Sequence, residues 1–447
     1  MTIETTTVGE EDAPVTSIPS DWSLVPLKYA CEINPDSVTG EFDQNDKIKY
    51  IDISSVSDRG EITFDEEITF GEAPSRAKRL VCHGDTIVST VRTYLRAIAY
   101  IDEPTENTVV SSGFAVLRPQ QNVLPQYLSY CIRANPYIEW IVANSTGVSY
   151  PAIGSADLGN LKIPVPPLPV QADISRYIKK KSSGIFESID YLDELKLLLD
   201  EYKKSLITNE VVSGVHQDRS FFNVDSEWYD QIPYGWELKR LNHLRKSHTP
   251  IVYGIIKPGP NRDEGVPIIK GGDCKPERLD PELLSKTTEQ KSNQYSRSEL
   301  DAGDLVYEIR GSVGRVVKIP PELEGANLTQ DTARISPKEH IDPDWLQYAL
   351  QSEPFRQQMD LVSRGATVQG VNLYDLRRGI IPVPPEDEQT MIARSLDSKI
   401  DQLSQVSKNI ESIRELLSEK RQALITAAVT GQIDVSEERG DMQDQPV

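Results

Sequence analysis

The second half of this chain restates the first, and that internal duplication limits the folds open to it more tightly than any other feature. Tyr127-Leu-Ser-Tyr130 matches Trp345-Leu-Gln-Tyr348 and Pro136-Tyr137 matches Pro354-Phe355, both at an offset of 218 positions. Without a gap the same offset carries Ser145-Thr-Gly147 onto Ser363-Arg-Gly365, Asp157-Leu158 onto Asp375-Leu376, and Ile163-Pro-Val-Pro-Pro167 onto Ile381-Pro-Val-Pro-Pro385. It then carries Gln171 onto Gln389, Arg176 onto Arg394 and Leu206-Ile-Thr208 onto Leu424-Ile-Thr426. The openings also correspond, Ile18-Pro-Ser-Asp-Trp22 with Ile232-Pro-Tyr-Gly-Trp236, as do strand-like stretches beginning at Gly84-Asp85 and Gly303-Asp304. Between these anchors the copies diverge, which suits two modules that share a frame and read different things.

Each copy has the same order of parts. Short alternating β-like runs and turns, such as Asp85–Ala99 and Asp304–Ile319, are joined by a helical stretch near 125–143 and 343–362. A proline segment follows and then a long helix, since residues 172–210 and 388–428 contain no proline and only Gly184 interrupts the first. The predicted class is mixed α/β, with two tandem globular domains separated by two long helices. The expected division is an acidic N-terminal tail at 1–17, a first domain at 18–167, a central spacer helix at 168–214 and a linker at 215–231. A second domain at 232–385, a distal spacer helix at 386–433 and a disordered acidic tail at 434–447 complete it.

In the first helix Ile178, Ile185, Leu192, Leu199 and Leu206 recur every seven residues, with Ile174, Leu195 and Tyr202 expected in a second seam row. In the second, Leu396, Leu403, Ile410, Leu417 and Leu424 do the same, with Ile392, Val406 and Ile413 beside them. Sustained heptads specify a coiled-coil seam, here an antiparallel one given the duplication. The other reading, each helix packed on its own domain, fits less well with a narrow apolar stripe flanked by Lys179-Lys-Lys181 and Lys203-Lys204. The Ile-Pro-Val-Pro-Pro segment can continue neither a helix nor a central strand, which predicts a stiff extended joint before each helix.

No apolar run approaches the roughly 18 residues that span a bilayer, and the start of the chain is acidic, unlike a secretory signal, so a cytoplasmic protein is expected. Cys31, Cys82, Cys131 and Cys274 are scattered, with no C-x-x-C pair, and read as reduced, mostly buried thiols with no metal site. The net charge of −21 counts at first against a nucleic-acid binder. Its distribution softens the objection: residues 1–21 and 434–447 carry −5 and −4, residues 22–167 carry −6, and residues 232–385 are neutral with 21 charges of each sign. Net charge speaks to solubility and non-specific binding, and leaves room for a local basic face.

Four features together resemble the specificity subunit of type I restriction-modification systems. They are the I-P-x-x-W opening of each copy, the G-D strand followed in the second copy by Arg310-Gly-Ser-Val-Gly-Arg315, the I-P-V-P-P joint with a glutamine just beyond it, and the L-I-T helix end followed by V-x-(S/T)-G. The resemblance covers residues 18–435. It implies two α/β target-recognition domains held apart by an antiparallel coiled coil, and a bipartite DNA target of two short half-sites flanking a non-specific spacer. It further implies two adenine methyltransferase subunits using S-adenosylmethionine, and restriction-translocase subunits using ATP and Mg, in phage defence. The first copy departs from the pattern, with Val91-Arg-Thr-Tyr-Leu-Arg96 in place of the glycine-containing turn.

Sequence reading needs Arg, Lys, Asn and Gln aimed at base edges, with basic and hydroxyl groups on phosphates. In the first domain the candidates are Arg76, Lys78 and Arg79, then Arg92, Tyr94 and Arg96, and the loop residues Ser145, Thr146, Ser149 and Tyr150. In the second they are Lys291, Asn293 and Arg297, then Arg310 and Arg315, then Arg364, Thr367, Gln369 and Asn372. For any one of the basic residues a solvated surface charge is the alternative.

Catalytic motifs are absent: there is no G-x-x-x-x-G-K-[ST] loop, glycine-rich nucleotide fingerprint or H-E-x-x-H. Asn135-Pro136-Tyr137 resembles part of an adenine methyltransferase motif but aligns with Glu353-Pro354-Phe355 and reads as a helix start; Glu194-Leu195-Lys196 falls on the coiled-coil helix. No catalysis and no cofactor are expected of this chain. A coiled-coil scaffold binding only proteins, which the acidity would favour, and an enzyme acting on DNA are the competing readings.

Overall fold

The computed structural model describes residues 5–435 except 10–12, 58, 64–66, 105–106, 217 and 364–369. The chain divides into two units, residues 1–192 with 412–447 and residues 193–411, so that the end of the chain returns to the first unit.

In the first unit, alternating apolar runs form a four-stranded antiparallel sheet in the order Cys31–Ile33, Phe114–Pro119, Thr86–Ser89, Ile98–Tyr100. A second sheet runs Ile68–Thr69, Lys47–Ile51, Thr108–Ser111, Ala77–Leu80, with Thr108–Ser111 parallel to Lys47–Ile51. Ile51, Ile87, Ala99, Val110 and Phe114 from the two sheets share one core cluster. Helices Pro125–Arg133 and Asn135–Ala143 cover the other side, where Tyr127, Leu128, Ile132 and Tyr137 are fully buried. Asn135-Pro136-Tyr137 is therefore the first turn of a helix.

The second unit repeats this plan with shorter strands. One sheet runs Val252–Tyr253, Thr332–Ile335, Leu305–Glu308, Val316–Lys318, and the other Ser285–Thr287, Val266–Ile269, Asn327–Leu328. Helices Pro343–Gln351 and Glu353–Val362 bury Trp345, Leu346 and Phe355.

The proline segments are more than joints. Lys162–Val165 pairs antiparallel with Ser23–Pro26, and Ile380–Val383 with Glu237–Arg240, each in a two-stranded sheet where proline costs no ladder bond on its open side. The glutamine just beyond each segment fixes it to its helix. Gln171, fully buried, donates to the carbonyls of Pro166 (2.8 Å) and Asn122 (3.0 Å) and accepts from the Leu124 N–H (2.8 Å). Gln389 donates to Pro384 (3.0 Å) and His340 (3.4 Å) and accepts from the Asp342 N–H (2.9 Å).

Two segments read as a tail and a linker contribute strands to the units. Thr5–Thr7, in the expected N-terminal tail, pairs with Ser17–Pro19, and Ala13 and Val15 are buried. Phe221–Asn223, in the expected linker, pairs with Gln231–Pro233, and Trp228 and Tyr229 pack on the core. Their acidity masked β-prone threonines and aromatics that the ladder and core accept. Val435 is likewise buried, while residues 436–447 of the expected C-terminal tail lie outside the described residues.

The central helix is Leu168–Ser213 and the distal helix Glu386–Val429. Ile174 and Ile178 belong to the first unit's core with Ile425, Ala428 and Val429, whereas Ile207 and Val211 belong to the second unit's core with Ile392 and Leu396. In each unit rising numbers on one helix meet falling numbers on the other, so the segments run antiparallel. Arg421 lies 4.3 Å from the Phe186 ring in the first unit; Lys196 meets Glu411 at 2.7 Å and Glu210 pairs with Lys399 in the second.

The first seam row is as expected: Ile178, Ile185, Leu396 and Ile410 are buried, and Leu192, Leu199, Leu206, Leu403, Leu417 and Leu424 are half-buried. The second row holds only at Ile174 and Ile392, which are buried. Leu195, Tyr202, Val406 and Ile413 are exposed, and the inward row between the helix ends lies four residues after each first-row position. It holds Ser182, Ile189, Lys196, Lys203 and Glu210 on the central helix and Ile400, Ser407, Arg414, Arg421 and Ala428 on the distal one. Charge occupies half of this row and serine two more positions, so an apolar pattern could not reveal it.

All four cysteines are free, and Cys31, Cys131 and Cys274 are buried. Burial, with Glu32 adding to it, pushes the Cys31 thiol up to about 12. Among the described residues no helix is long and apolar enough to cross a membrane, and no group of side chains is suited to hold a metal ion.

Replacing Gln171 or Gln389 by Leu would strand one buried backbone donor and two acceptors that helix and strand cannot otherwise satisfy. Each substitution should cost about 1–3 kcal/mol in a denaturant titration of the full chain.

Candidate nucleic-acid interface

The turn between Thr86–Ser89 and Ile98–Tyr100 is closed by the Ser89 N–H donating to the Ala97 carbonyl at 2.9 Å. Within it Arg92 and Arg96 have φ of 54° and 55°, the left-handed region that non-glycine residues avoid at a cost of about 1–2 kcal/mol each. The matching turn of the second unit is closed by the Glu308 N–H on the Arg315 carbonyl at 2.8 Å. There Gly311 and Gly314, at φ of 86° and 96°, stand where Arg92 and Arg96 stand. The second turn is one residue shorter, closing from Glu308 to Arg315 where the first closes from Ser89 to Ala97, and it places glycines at its two left-handed positions where the first places arginines.

The strain is held by neighbours. The Arg92 N–H donates to the Pro151 carbonyl (2.8 Å), its guanidinium lies 4.7 Å from the Tyr150 ring centre, and the Thr93 and Ser145 hydroxyls are 2.9 Å apart. Thr146 and Ala152 exchange backbone bonds at 2.9 Å, so the loop between them projects, with Val148, Ser149 and Tyr150 exposed. Arg92, Tyr150 and Arg76 line a hollow of about 490 Å³ together with Asp52, Ser54 and Ser112. Burial opposes ionisation of Asp52, but the Ser54 hydroxyl, the Ser54 and Ser55 amides and Arg76 together hold its carboxyl below the usual value. A carboxylate beside two arginines and a tyrosine face can accept from cytosine N4 while the guanidiniums donate.

The other candidates of this unit fall outside the hollow. Lys78 and Tyr94 are exposed on its flanks, Arg96 turns to Asn135 (3.3 Å), and Arg79 is half-buried in Ala77–Leu80, where burial pushes its pKa down.

In the second unit Arg310 is exposed and bridges to Gly370. Arg315, half-exposed, stands 3.8 Å from Glu308, a buried carboxylate whose Oε1 accepts the Ser312 N–H at 3.0 Å. Burial raises the Glu308 pKa, with Ser312 and Arg315 opposing. Arg297 lines a separate hollow of about 420 Å³ with Tyr253, Tyr295, Leu373 and Arg377. Lys291 lies 5.3 Å from the Tyr295 ring, and Asn293 is exposed beside it. Asn372 caps the helix Leu373–Arg378, accepting from the Asp375 N–H at 2.9 Å, which commits its side chain locally. Arg364, Thr367 and Gln369 lie outside the described residues. Tyr253, Tyr295 and Arg377 were not singled out from sequence, although an adjacent Arg377-Arg378 pair was a signal.

Two copies of the type I restriction modification DNA specificity domain match residues 19–189 and 235–414. The chain belongs to the type I restriction-modification DNA specificity family. Each matched range includes one of the two arginine-bearing turns and the start of one long helix. Among relatives, the EcoBI specificity subunit of Escherichia coli is 23% identical over 66% of this chain and 64% of its own length. A putative type I restriction enzyme MjaX specificity subunit of Methanocaldococcus jannaschii is 25% identical over 94% of this chain and 95% of its own length. The fold matches a chain in a solved structure concerned with complex assembly and conformational transition of the type I R-M system, with a TM-score of 0.70, 22% identity, and coverage of 93% of this chain and 99% of that one.

Turn strain in this specificity subunit is open to measurement. Arg96→Gly exchanges left-handed strain for unfolded-chain entropy and should leave stability within about 1 kcal/mol, whereas Gly311→Ala forces a Cβ into left-handed backbone and should cost about 1–2 kcal/mol, both read by thermal unfolding.

Proposed function

We propose that the chain selects a bipartite DNA target, each unit reading one half-site, and that the paired helices fix the spacer between them. The observation that carries this is the repeated turn: the same hairpin bears Arg92 in one unit and Arg310 with Arg315 in the other, on inserts that otherwise differ. Modules sharing a frame but not their tip residues read different sequences.

Methyl transfer and cleavage fall to partner subunits. Two adenine methyltransferase subunits with S-adenosylmethionine, joined by restriction-translocase subunits with ATP and Mg, fit the acidic character of this chain, which alone would hold DNA weakly. Leu195, Leu198 and Tyr202, exposed at spacings of three and four on the central helix, offer an apolar helical face for a methyltransferase subunit. Such an assembly works in the cytoplasm, where the DNA is.

Arg92→Ala should relax reading at one half-site only, and Arg310→Ala at the other, each costing about 1–3 kcal/mol of discrimination in competition binding by the methyltransferase complex. Equal losses at both half-sites would mean that the two arginines are general phosphate contacts.

The ruler is tested by length. One heptad added to each helix, after Asp193 and after Glu411, keeps the seam in phase and lengthens the pair by about 10 Å, close to three base pairs. Long-read mapping of methylated adenines should then show unchanged half-sites with a longer spacer. Normal activity with an unchanged spacer would mean that the helices do not set the distance.

A further inference from the structure

Each unit has a corner that its sheet places against the arginine-bearing turn, and the two corners carry opposite charge. In the first unit Lys47–Ile51 runs parallel to Thr108–Ser111 as far as the pair Ile51 and Val110, and Asp52 is the next residue. In the second Val266–Ile269 runs parallel to Asn327–Leu328 as far as the pair Ile269 and Leu328, and Lys270 is the next residue. A single 3-10 turn follows both corners, Ile53–Ser55 and Gly271–Asp273. Both turns are tied by the corner's own N–H, which donates to Ser55 Oγ at 3.2 Å in one and to Asp273 Oδ2 at 3.0 Å in the other. Asp52 lines the hollow of Arg76 and Arg92. Beside Lys270, a Cβ on Gly271 would come within 2.7 Å of Glu308 Oε1, the atom that accepts the Ser312 N–H, so this corner too abuts the turn of Arg310 and Arg315.

The fold dictates neither charge. The second turn forms with no side-chain cap, so the carboxylate of Asp52 is not what the corner requires. An ionised carboxylate offers about four acceptor sites. The Ser54 amide (2.8 Å), the Ser54 hydroxyl (2.6 Å) and the Ser55 amide take three of them, which leaves one on a residue that lines the hollow. Lys270 is exposed, donates from Nζ to Ser285 Oγ at 2.7 Å, and forms no ion pair among the described residues, so its ammonium keeps donors open. Matched positions that only accept in one unit and only donate in the other suit opposite base edges. In the major groove cytosine N4 and adenine N6 donate, whereas guanine O6 and thymine O4 accept.

We infer that the two corners are specificity-determining positions, Asp52 accepting from an exocyclic amino group in one half-site and Lys270 donating to a keto oxygen in the other. This rests on the DNA reading proposed above and adds to it which residue sets the polarity of one contact in each unit.

Competition binding by the methyltransferase complex, against duplexes carrying each of the four base pairs at every half-site position, tests the inference. Asp52→Asn keeps an oxygen for the Ser54 amide, so the turn stays capped, but sets a donor beside it. Discrimination should fall by about tenfold or more at one pair of one half-site, with the other half-site and the thermal transition unchanged. The base that the unaltered chain prefers at that pair, cytosine or adenine, names the source of the amino group. Lys270→Asp reverses the second corner and should shift the preference at one pair of the other half-site from a keto to an amino base. An unchanged preference removes that corner as a reader. A loss uniform across all duplexes does so too, and makes Lys270 a phosphate contact or Asp52 a structural cap. If Arg92→Ala and Arg310→Ala relax their half-sites while the corner variants do not, the DNA reading stands and the corners fall; a complex with no sequence preference overturns both.

Discussion

The antiparallel pairing of the central and distal helices is the constraint on which the rest depends. Each helix begins in one unit's core and ends in the other's, so neither core is complete without the end of a helix that starts elsewhere. The seam that joins them is only half apolar. Its second row carries Lys196, Lys203, Glu210, Arg414 and Arg421, and pairs such as Lys196–Glu411 lie across it. A partly exposed ion pair contributes little stability. It does discriminate among registers, because a slip of one heptad separates Lys196 from Glu411 and Glu210 from Lys399, and register is what a spacer must not lose. Stability comes from the helix ends and from the buried and half-buried first row, while the polar row fixes which residues meet.

The two arginine-bearing turns show how the duplication has been used. Each turn is closed by a backbone bond, Ser89 to Ala97 in one unit and Glu308 to Arg315 in the other, and each demands left-handed backbone at two positions, yet one copy meets it with glycines and the other with arginines. Keeping arginine there costs about 1–2 kcal/mol per position. A fold that tolerates either residue leaves the choice to what the side chain contacts. In the second unit the buried Glu308 steadies the turn instead, through Ser312 and Arg315, so the two tips reach rigidity by different means.

Much of this architecture was legible in the sequence because repetition and heptad spacing survive where detail does not. The long helices, the divergent modules and the first seam row all follow from spacing that packing enforces. Leu195, Tyr202, Val406 and Ile413 misled, because an apolar residue three positions from the seam is as consistent with a surface face as with a buried one. The N-terminal and linker strands were hidden by their acidity: charge reports solvation of side chains and says nothing of whether Thr5–Thr7 or Phe221–Asn223 can add to a ladder. Of the site, Arg92, Tyr150 and Arg76 were chosen separately and fold to one hollow. Asn372 could not be told from a reader, since a helix cap favours the same residue type.

The acidity of the chain and its arginine clusters are two sides of one electrostatic arrangement. Spread over tails and solvent faces, negative charge lowers affinity for any stretch of DNA without touching local contacts, since charges more than a Debye length of about 10 Å away are screened. Recesses lined by guanidiniums keep their field, because low-dielectric walls screen them less. A general repulsion with a few enclosed attractive points favours discrimination over affinity: non-specific binding falls, and the contacts that remain are those whose geometry depends on sequence. A reader of the kind proposed would be selective and weak alone, and the missing affinity would come from whatever else grips the duplex. That requirement, more than the absence of a catalytic motif, is why this chain calls for partners.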